Sequence, residues 1–567
     1  MRARALSDAS TPSRARARSF ARARRVFART TRGRATENDE DVSDVVVIGA
    51  GIGGLSAAAI VAKCGMSVTV LESHNVPGGA AHAWARDGYT FESGPSLYSG
   101  LGDWPTTNPC GQILHAVDEK VECVRYNTWM CHLPEGTFVT EVGNDQFLEC
   151  LRTYVEDGDA AAEEWIRLKE LMRPMATASA SLPPAAVRSD VWGAFTLARF
   201  VPGLIKSANY IPKIMAPYSN FMDENEIKHP FIRNYMEMLC FLLSGAPASG
   251  TMSAEIGYMF DDWYRPNSML EFPKGGSGAI VEALVRGVQK NGGVVKCGTH
   301  VEEILVEGEE DKKRAVGVRT RGGKTYRAKK AVISNATTWD TVPMLPPGAM
   351  PSEWIDEVSS TEMCESFMHL HLGIDAVDLP DDLEIHHIYV EDWSRGVTAE
   401  QNMVLISIPS VLDPSMAPEG KHVIHAYTPG NEPLDIWDGL DRNSDEYKAL
   451  KEERSQVLWR AIEKVIPDVR KRAEITMVGT PVTQKRFLRR ARGTYGGTGW
   501  ISADQDTIPI TSASTPLPGL LVVGDSNFPG PGVPAVAAGG WSAANELISP
   551  MQTAALLDKV CPPGTAK

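Results

Sequence analysis

Residues 44–72, DVVVIGAGIGGLSAAAIVAKCGMSVTVLE, constrain this chain more than any other stretch. A buried apolar run, Val45–Ile48, meets Gly49, Gly51 and Gly54, and a small-residue helix follows. A second apolar run ends in Glu72. Gly49 permits the tight turn, Gly51 lets backbone approach a pyrophosphate, and Gly54 lets helix and strand pack closely. The pyrophosphate belongs on the helix N-terminus, where free N–H groups point outward. Glu72, 23 positions after Gly49, has the spacing of a carboxylate that accepts ribose hydroxyls. The pattern predicts a bound dinucleotide. The plainer alternative is a glycine turn in an ordinary βαβ unit.

A second turn-and-helix lies near the C-terminus. PLPGLLVVGDS (516–526) reads as a strand delivering Gly524 and Asp525 to its carboxyl end. A Gly/Pro loop and a small-residue helix from about Ala535 follow. Ligands of open parallel sheets sit outside the strand carboxyl ends. Asp525 is therefore placed to bond a sugar-alcohol chain, which makes the dinucleotide FAD rather than a transient NAD.

The 567 residues are too many for one small core, and two interleaved domains are expected. The fold class is α/β: a Rossmann-like FAD-binding domain, discontinuous in sequence (44–110, 271–345 and 495–550), with an interleaved α+β substrate domain (111–270 and 346–494). Residues 111–270 read as largely helical. No uninterrupted apolar run reaches the length of a spanning helix.

The formal charge of −14 hides an asymmetry. The first 35 residues hold eleven Arg, no Lys and one acid, Asp8, a surplus of ten positive charges, so the remainder carries −24. This Arg-rich, Ser/Ala/Thr-rich, acid-poor composition is that of an organelle transit peptide, assigned to 1–36; a nucleic-acid-binding arm is the alternative. The acidic body repels phosphate backbones, so no nucleic-acid partner is expected.

The nine Cys form no CxxC pair, so neither a disulfide framework nor a zinc site is expected. His369 and His371 share one face of a strand, but a metal would need a third ligand. They read, like His386–His387 and His422/His425, as satisfied or solvent-facing, and no metal is expected. In 190–218, apolar residues alternate with Arg199, Lys206 and Lys213, and prolines at 202, 212 and 217 forbid one long helix. This segment suits either a membrane interface or a helical cap over a cavity.

The motifs GAGIGGL (49–55), Glu72, PGG (77–79), RDGYTFE (86–92) and GDS (524–526) resemble the FAD-dependent phytoene desaturase, carotenoid isomerase and retinol saturase superfamily. FPKGGSGAI (272–280), ISNATTWDT (333–341), EDW (391–393), SIPSVLDPSMAPEG (407–420), RFLRR (486–490) and GTYG (493–496) are similar to its carotenoid (prolycopene) isomerase branch. The resemblance spans roughly 44–550. It implies that Gly49, Gly51, Gly53 and Gly54 hold the pyrophosphate and Glu72 the ribose. Gly79 and Arg86 would lie near the first strand of the flavin site, Val301 by the adenine, and Asp525 and Val533 by the ribityl chain and ring.

It further implies cis–trans isomerisation of a carotenoid or other polyene by reduced FAD, with peripheral membrane contact and a reductant or plastoquinone-type electron partner. The location would be a chloroplast, with the mitochondrion as alternative. Net redox, as in a desaturase or retinol saturase, and hydration by a diverged paralogue are the other readings. A non-catalytic flavin-bearing scaffold is a further one. Where GDSCFPGQGV is usual, this chain has GDSNFPGPGVPAVAAGG, and 499–507 also departs from the family pattern. No catalytic acid or base is identifiable. Glu92 and Ser93 lie near the expected ring, and Arg486 is placed at a cavity mouth or on a basic patch.

Overall fold

The computed structural model describes residues 41–94, 97–180, 182–188, 190–309, 312–497 and 513–562. The Arg-rich leader and the 499–507 segment lie outside the described residues.

Strands run in chain order β1 (Asp41–Ile48), β2 (Val68–Leu71), β3 (Ala83–Arg86), β4 (Tyr89–Glu92), β5 (Cys123–Tyr126), β6 (Thr128–Leu133), β7 (Gly136–Glu141), β8 (Leu270–Pro273) and β9 (Val294–Lys296). The rest are β10 (Val301–Glu307), β11 (Arg314–Thr320), β12 (Thr325–Ser334), β13 (His369–Asp375), β14 (His386–Val390), β15 (Met403–Ser407), β16 (Lys421–Tyr427), β17 (Ala473–Gly479) and β18 (Leu520–Val522). Fourteen of them form two large sheets, and β3–β4 and β5–β8 are separate two-stranded pairs. The first has the order β10-β11-β12-β1-β2-β9, with β18 added alongside β12. Its centre is parallel: Val45 pairs with Val68 and Ile48 with Leu71, and β18 runs parallel to β12. The second has the order β17-β13-β16-β15-β14-β6-β7 and is mostly antiparallel. The α/β class is as the sequence predicts.

The first helix, Ile52–Lys63, follows β1 directly. Eleven of its residues are buried, Ile52 to Ala62 without a break. A helix enclosed all round must be narrow, and Gly, Ala and Ser make it so. It packs against the helix Val533–Asn545, where a Cβ on Gly540 would come 2.8 Å from Ser56 Cβ. Both helices and the first sheet share one apolar core.

The middle region, expected to be largely helical, also holds strands. Residues 123–141 form three strands, two of which extend the second sheet through parallel pairing of β6 with β14. Trp129, Cys131 and Leu133 alternate inward along β6. This is a half-buried strand pattern that its short length hides beside the helices. Those helices, Gly158–Ala180, Pro230–Ser244 and Ser253–Trp263, pack on this strand layer in a second core. The proline-rich stretch breaks into short helices at Gly193–Leu197, Val201–Ser207 and Ile211–Met215, as its prolines demand.

Candidate functional site

The carboxyl ends of β1, β2, β12 and β18 open into a cavity of about 1960 Å³, whose wall also includes residues of β13, β14 and β16. Its nucleotide end is built from glycines. Gly49 has φ of +90°, in the left-handed region. A Cβ on Gly54 would overlap the carbonyl oxygen of Gly49 and lie 3.0 Å from Asn335 Cβ. Gly54 therefore sets helix against strand, as read from the motif. A Cβ on Gly51 would fall 2.7 Å from Asn335 Nδ2, and one on Gly53 2.7 Å from Asn335 Oδ1. Asn335, at the end of β12, thus fills the hollow of the glycine loop, a second reason for glycine there. The Ile52–Lys63 helix has Gly51 as N-cap, no side-chain cap and no acid in its first turn. Its orphan N–H groups are free for an anion.

Glu72 Oε2 accepts from Ala50 N at 2.8 Å and Oε1 from His74 N at 2.6 Å. The backbone thus holds the carboxylate while each oxygen keeps acceptor capacity. Burial pushes the Glu72 carboxyl above its usual range, and these amides pull it back. Gly49, Gly51, Gly53, Glu72, Gly79, Val301, Asp525 and Val533 all line the cavity. Ser93 lines it too, whereas Glu92 is buried beside it and accepts from Ser277 N at 2.5 Å. Asp525 is already committed: its Oδ2 takes Arg490 Nη1 at 2.7 Å, leaving Oδ1 for a ligand. The Val533–Asn545 helix also begins without a side-chain cap, and Pro531 and Pro534 line the wall beside it.

Two of the singled-out arginines stand outside the cavity wall. Arg86 ends β3 pointing outward, 54% exposed and 3.4 Å from Asp87, and is not part of the cavity wall. Arg86 pairs with Tyr89 on the same face as Trp84 and Phe91, but it is the last residue of β3, at the turn end of a two-stranded ribbon, and there its side chain reaches solvent. Arg486 is also absent from the wall, where Lys485, Phe487, Leu488, Arg489 and Arg490 take part instead.

The opposite end of the cavity holds groups that no sequence motif marks. Glu255, on the Ser253–Trp263 helix, faces the cavity, and burial raises its carboxyl to about 8. It therefore keeps its proton at neutral pH. The available signal was a lone acid in the run MSAEIGYMF with no cation three or four positions away. His369, His371 and His425 gather on one sheet face, so the third imidazole that the sequence reading asked for is present. They are buried rather than solvent-facing, and His369 Nε2 has no partner. Leaving such an atom unpaired costs about 1–3 kcal/mol. Burial lowers all three, His371 to about 4, so they are neutral. Tyr427, Tyr495 and Phe367 complete an aromatic wall.

Among known proteins, the family described as flavin containing amine oxidoreductase matches residues 52–548. The chloroplastic prolycopene isomerase of Arabidopsis thaliana is 31% identical over 534 residues, 92% of this chain and 85% of that protein. The all-trans-retinol 13,14-reductase of Danio rerio is 25% identical, covering 85% and 82%. The neurosporene-forming phytoene desaturase of Cereibacter sphaeroides is 25% identical, covering 88% and 93%. Among solved structures, an oxidoreductase from Methanosarcina mazei has a TM-score of 0.57 at 18% identity, covering 88% of this chain and 98% of its own.

Proposed function

The chain belongs to the flavin-containing amine oxidoreductase family, and from that premise we propose that it is an FAD-dependent cis–trans isomerase of carotenoid double bonds, working in a plastid at a membrane surface. FAD is the cofactor, and the glycine cradle, the uncapped helix N-terminus and the anchored Glu72 fit it. The observation that carries the isomerase reading is the 31% identity to a prolycopene isomerase along 92% of the chain. The cavity supports it, being larger than the roughly 300–1,000 Å³ of an ordinary ligand pocket and able to take a long polyene beside a dinucleotide.

Isomerisation requires a double bond to lose order transiently. When bound, reduced FAD supplies electron density that can be lent to a conjugated substrate and taken back. The chain's residues do the rest. Gly49, Gly51, Gly53 and the helix N-terminus hold the pyrophosphate, and Glu72 receives ribose hydroxyls. The apolar and aromatic walls exclude water. Glu255 is the proton source: its carboxyl lends a proton to a polyene carbon and recovers it after rotation, so atoms and charge balance. Anaerobic incubation with poly-cis and all-trans carotenoids, with chromatography and mass measurement, tests this. Unchanged product mass with reduced enzyme is expected. Equal rates with oxidised enzyme would sink the reduced-flavin mechanism.

A second reading, net redox on the same scaffold, is favoured by the retinol reductase and phytoene desaturase relatives. It predicts a mass change of two hydrogens and a dedicated electron donor or acceptor.

Membrane contact is assigned to the broken helices of 191–215. Val191, Trp192, Phe195 and Ile205 are 89%, 54%, 53% and 70% exposed. Phe200, Pro202, Lys206 and Ile214 of the same stretch line the cavity. Apolar tips with interspersed Lys206 and Lys213 suit the headgroup boundary and give a lipid-soluble substrate a path. No described helix is long and apolar enough to cross a membrane. Co-sedimentation with anionic vesicles should weaken in a Trp192→Ser/Phe195→Ser/Ile205→Ser variant. Unchanged binding would discard this surface.

A further inference from the structure

The second sheet contains two groups of buried histidines, and they are not alike. His132 and His387 are fully partnered: His132 Nε2 meets His387 Nδ1 at 3.2 Å, His132 Nδ1 meets Thr137 Oγ1 at 3.2 Å, and His387 Nε2 donates to Glu384 O at 3.0 Å. Every ring nitrogen of that pair has a bond, and it needs nothing more. The trio of His369, His371 and His425 is different. His371 and His425 stand directly opposite each other on β13 and β16, their rings stacked at 4.5 Å and 4°. His369 lies two positions along β13 on the same face, with Nδ1 3.0 Å from His425 Nε2. Its Nε2 is buried and unpartnered. One nitrogen from each of the three rings lies within 4.8 Å of those of the other two.

We propose that His369, His371 and His425 bind one first-row divalent cation of the zinc or ferrous class. The His369–His425 separation of 3.0 Å is a hydrogen bond between the two rings, whose shared hydrogen an ion would replace, and it is close to the roughly 3.3 Å between two nitrogens held about 2.0–2.1 Å from one tetrahedral ion. His371 is oriented in the manner of a ligand. A carbonyl oxygen can only accept, so His371 Nε2 donates to Glu92 O at 2.9 Å and Nδ1 carries the lone pair. An outer nitrogen held by a backbone carbonyl is the usual support of a metal-bound imidazole. An all-imidazole set suits zinc, iron, copper or nickel and not magnesium or calcium. His369 and His425 line the large cavity, so the remaining coordination position opens onto the space assigned to substrate and flavin.

The test uses purified holoenzyme, dialysed without chelator, with metal measured by inductively coupled plasma mass spectrometry against bound flavin. About one zinc or iron per chain is expected, falling about tenfold or more in His371→Gln and in His425→Gln while flavin is retained. His132→Gln should leave metal content unchanged, because it alters only the satisfied pair. Calorimetric titration of chelator-treated wild-type holoenzyme with Zn²⁺ needs no variant to fold, and should reach one equivalent. The proposal is overturned by wild-type protein that neither carries stoichiometric metal nor takes up Zn²⁺. It is equally overturned by uptake that persists in a flavin-bearing His371→Gln/His425→Gln variant, or by an equal loss in His132→Gln.

Discussion

The two ends of the cavity obey opposite rules. At the nucleotide end the loop's polar groups hold one another in place, Glu72 on two amides, Asn335 N on Ile48 O and Gly78 N on Ala50 O, and what they leave open is the uncapped helix N-terminus. Side chains are nearly absent because there is no room for them. At the aromatic end, bulky rings surround titratable groups with few partners, Glu255 and His369 foremost. The first end is rigid and specific for a fixed ligand. The second keeps its polar capacity unspent. A preorganised cradle needs its hydrogen bonds completed before the ligand arrives, whereas a reacting group needs its proton or lone pair available.

Substitution at the crowded end should have the largest effect. Gly54→Ala drives a methyl group into the Gly49 carbonyl, with backbone on one side and Val47 on the other, so nothing can yield. We expect a loss of about 3 kcal/mol or more in stability and protein that purifies without flavin colour. Yellow, normally stable Gly54→Ala protein would break the claim that close packing defines this end.

Glu255→Gln should do the reverse, retaining flavin and stability while lowering the isomerisation rate by about a hundredfold. Wild-type activity should fall as pH rises through about 8, and the variant should lose that limb. The linkage has a definite sign. The carboxyl titrates near 8 when folded and near 4.5 when free, so its contribution to stability is present below pH 4.5 and is lost as pH rises toward 8. Thermal melts of Glu255→Gln should be flatter across that window.

Glu72→Gln probes the cradle more gently. It places an NH2 group against a backbone N–H and removes the charge that faces the ribose. FAD affinity should weaken by about thirtyfold, or roughly 2 kcal/mol, measured by flavin fluorescence during titration of apoprotein.

The same contrast explains what could be read in advance. The cradle is local: Gly49, Gly51, Gly54 and Glu72 lie within 24 residues, and each has a backbone reason to be what it is. The companion element at Gly524–Asp525 was legible for the same cause. The aromatic end is assembled from His369, His371 and His425, brought together by a sheet order that no local pattern specifies, and from Glu255 on a separate helix. Strand alternation put His369 and His371 on one face, but the neighbour that turns a pair into a trio depends on β16 pairing with β13. The strands at 123–141 were missed for a related reason. Although β6 and β7 pair with each other, the outside partners are remote: β14 for β6, some 250 residues away, and β8 for β5, beyond the intervening helices.

The smallest effect is expected at Arg86, where motif and geometry disagree. As part of RDGYTFE it was placed beside the flavin, yet it stands on the outer ribbon with its guanidinium over Asp87. An exposed pair of neighbours contributes little, since solvent screens it and both side chains lose freedom in forming it. Arg86→Ala should therefore leave FAD affinity unchanged and stability within about 0.5 kcal/mol. Trp84, two residues earlier on the same strand, is the sensitive control. Its ring packs 5.0 Å from His371 and 5.3 Å from His82, so Trp84→Ala should disturb the cavity wall that Arg86→Ala leaves intact. Should Arg86→Ala instead release flavin, the β3–β4 ribbon would have to fold inward when FAD binds, and the division between committed and uncommitted ends would need redrawing around it.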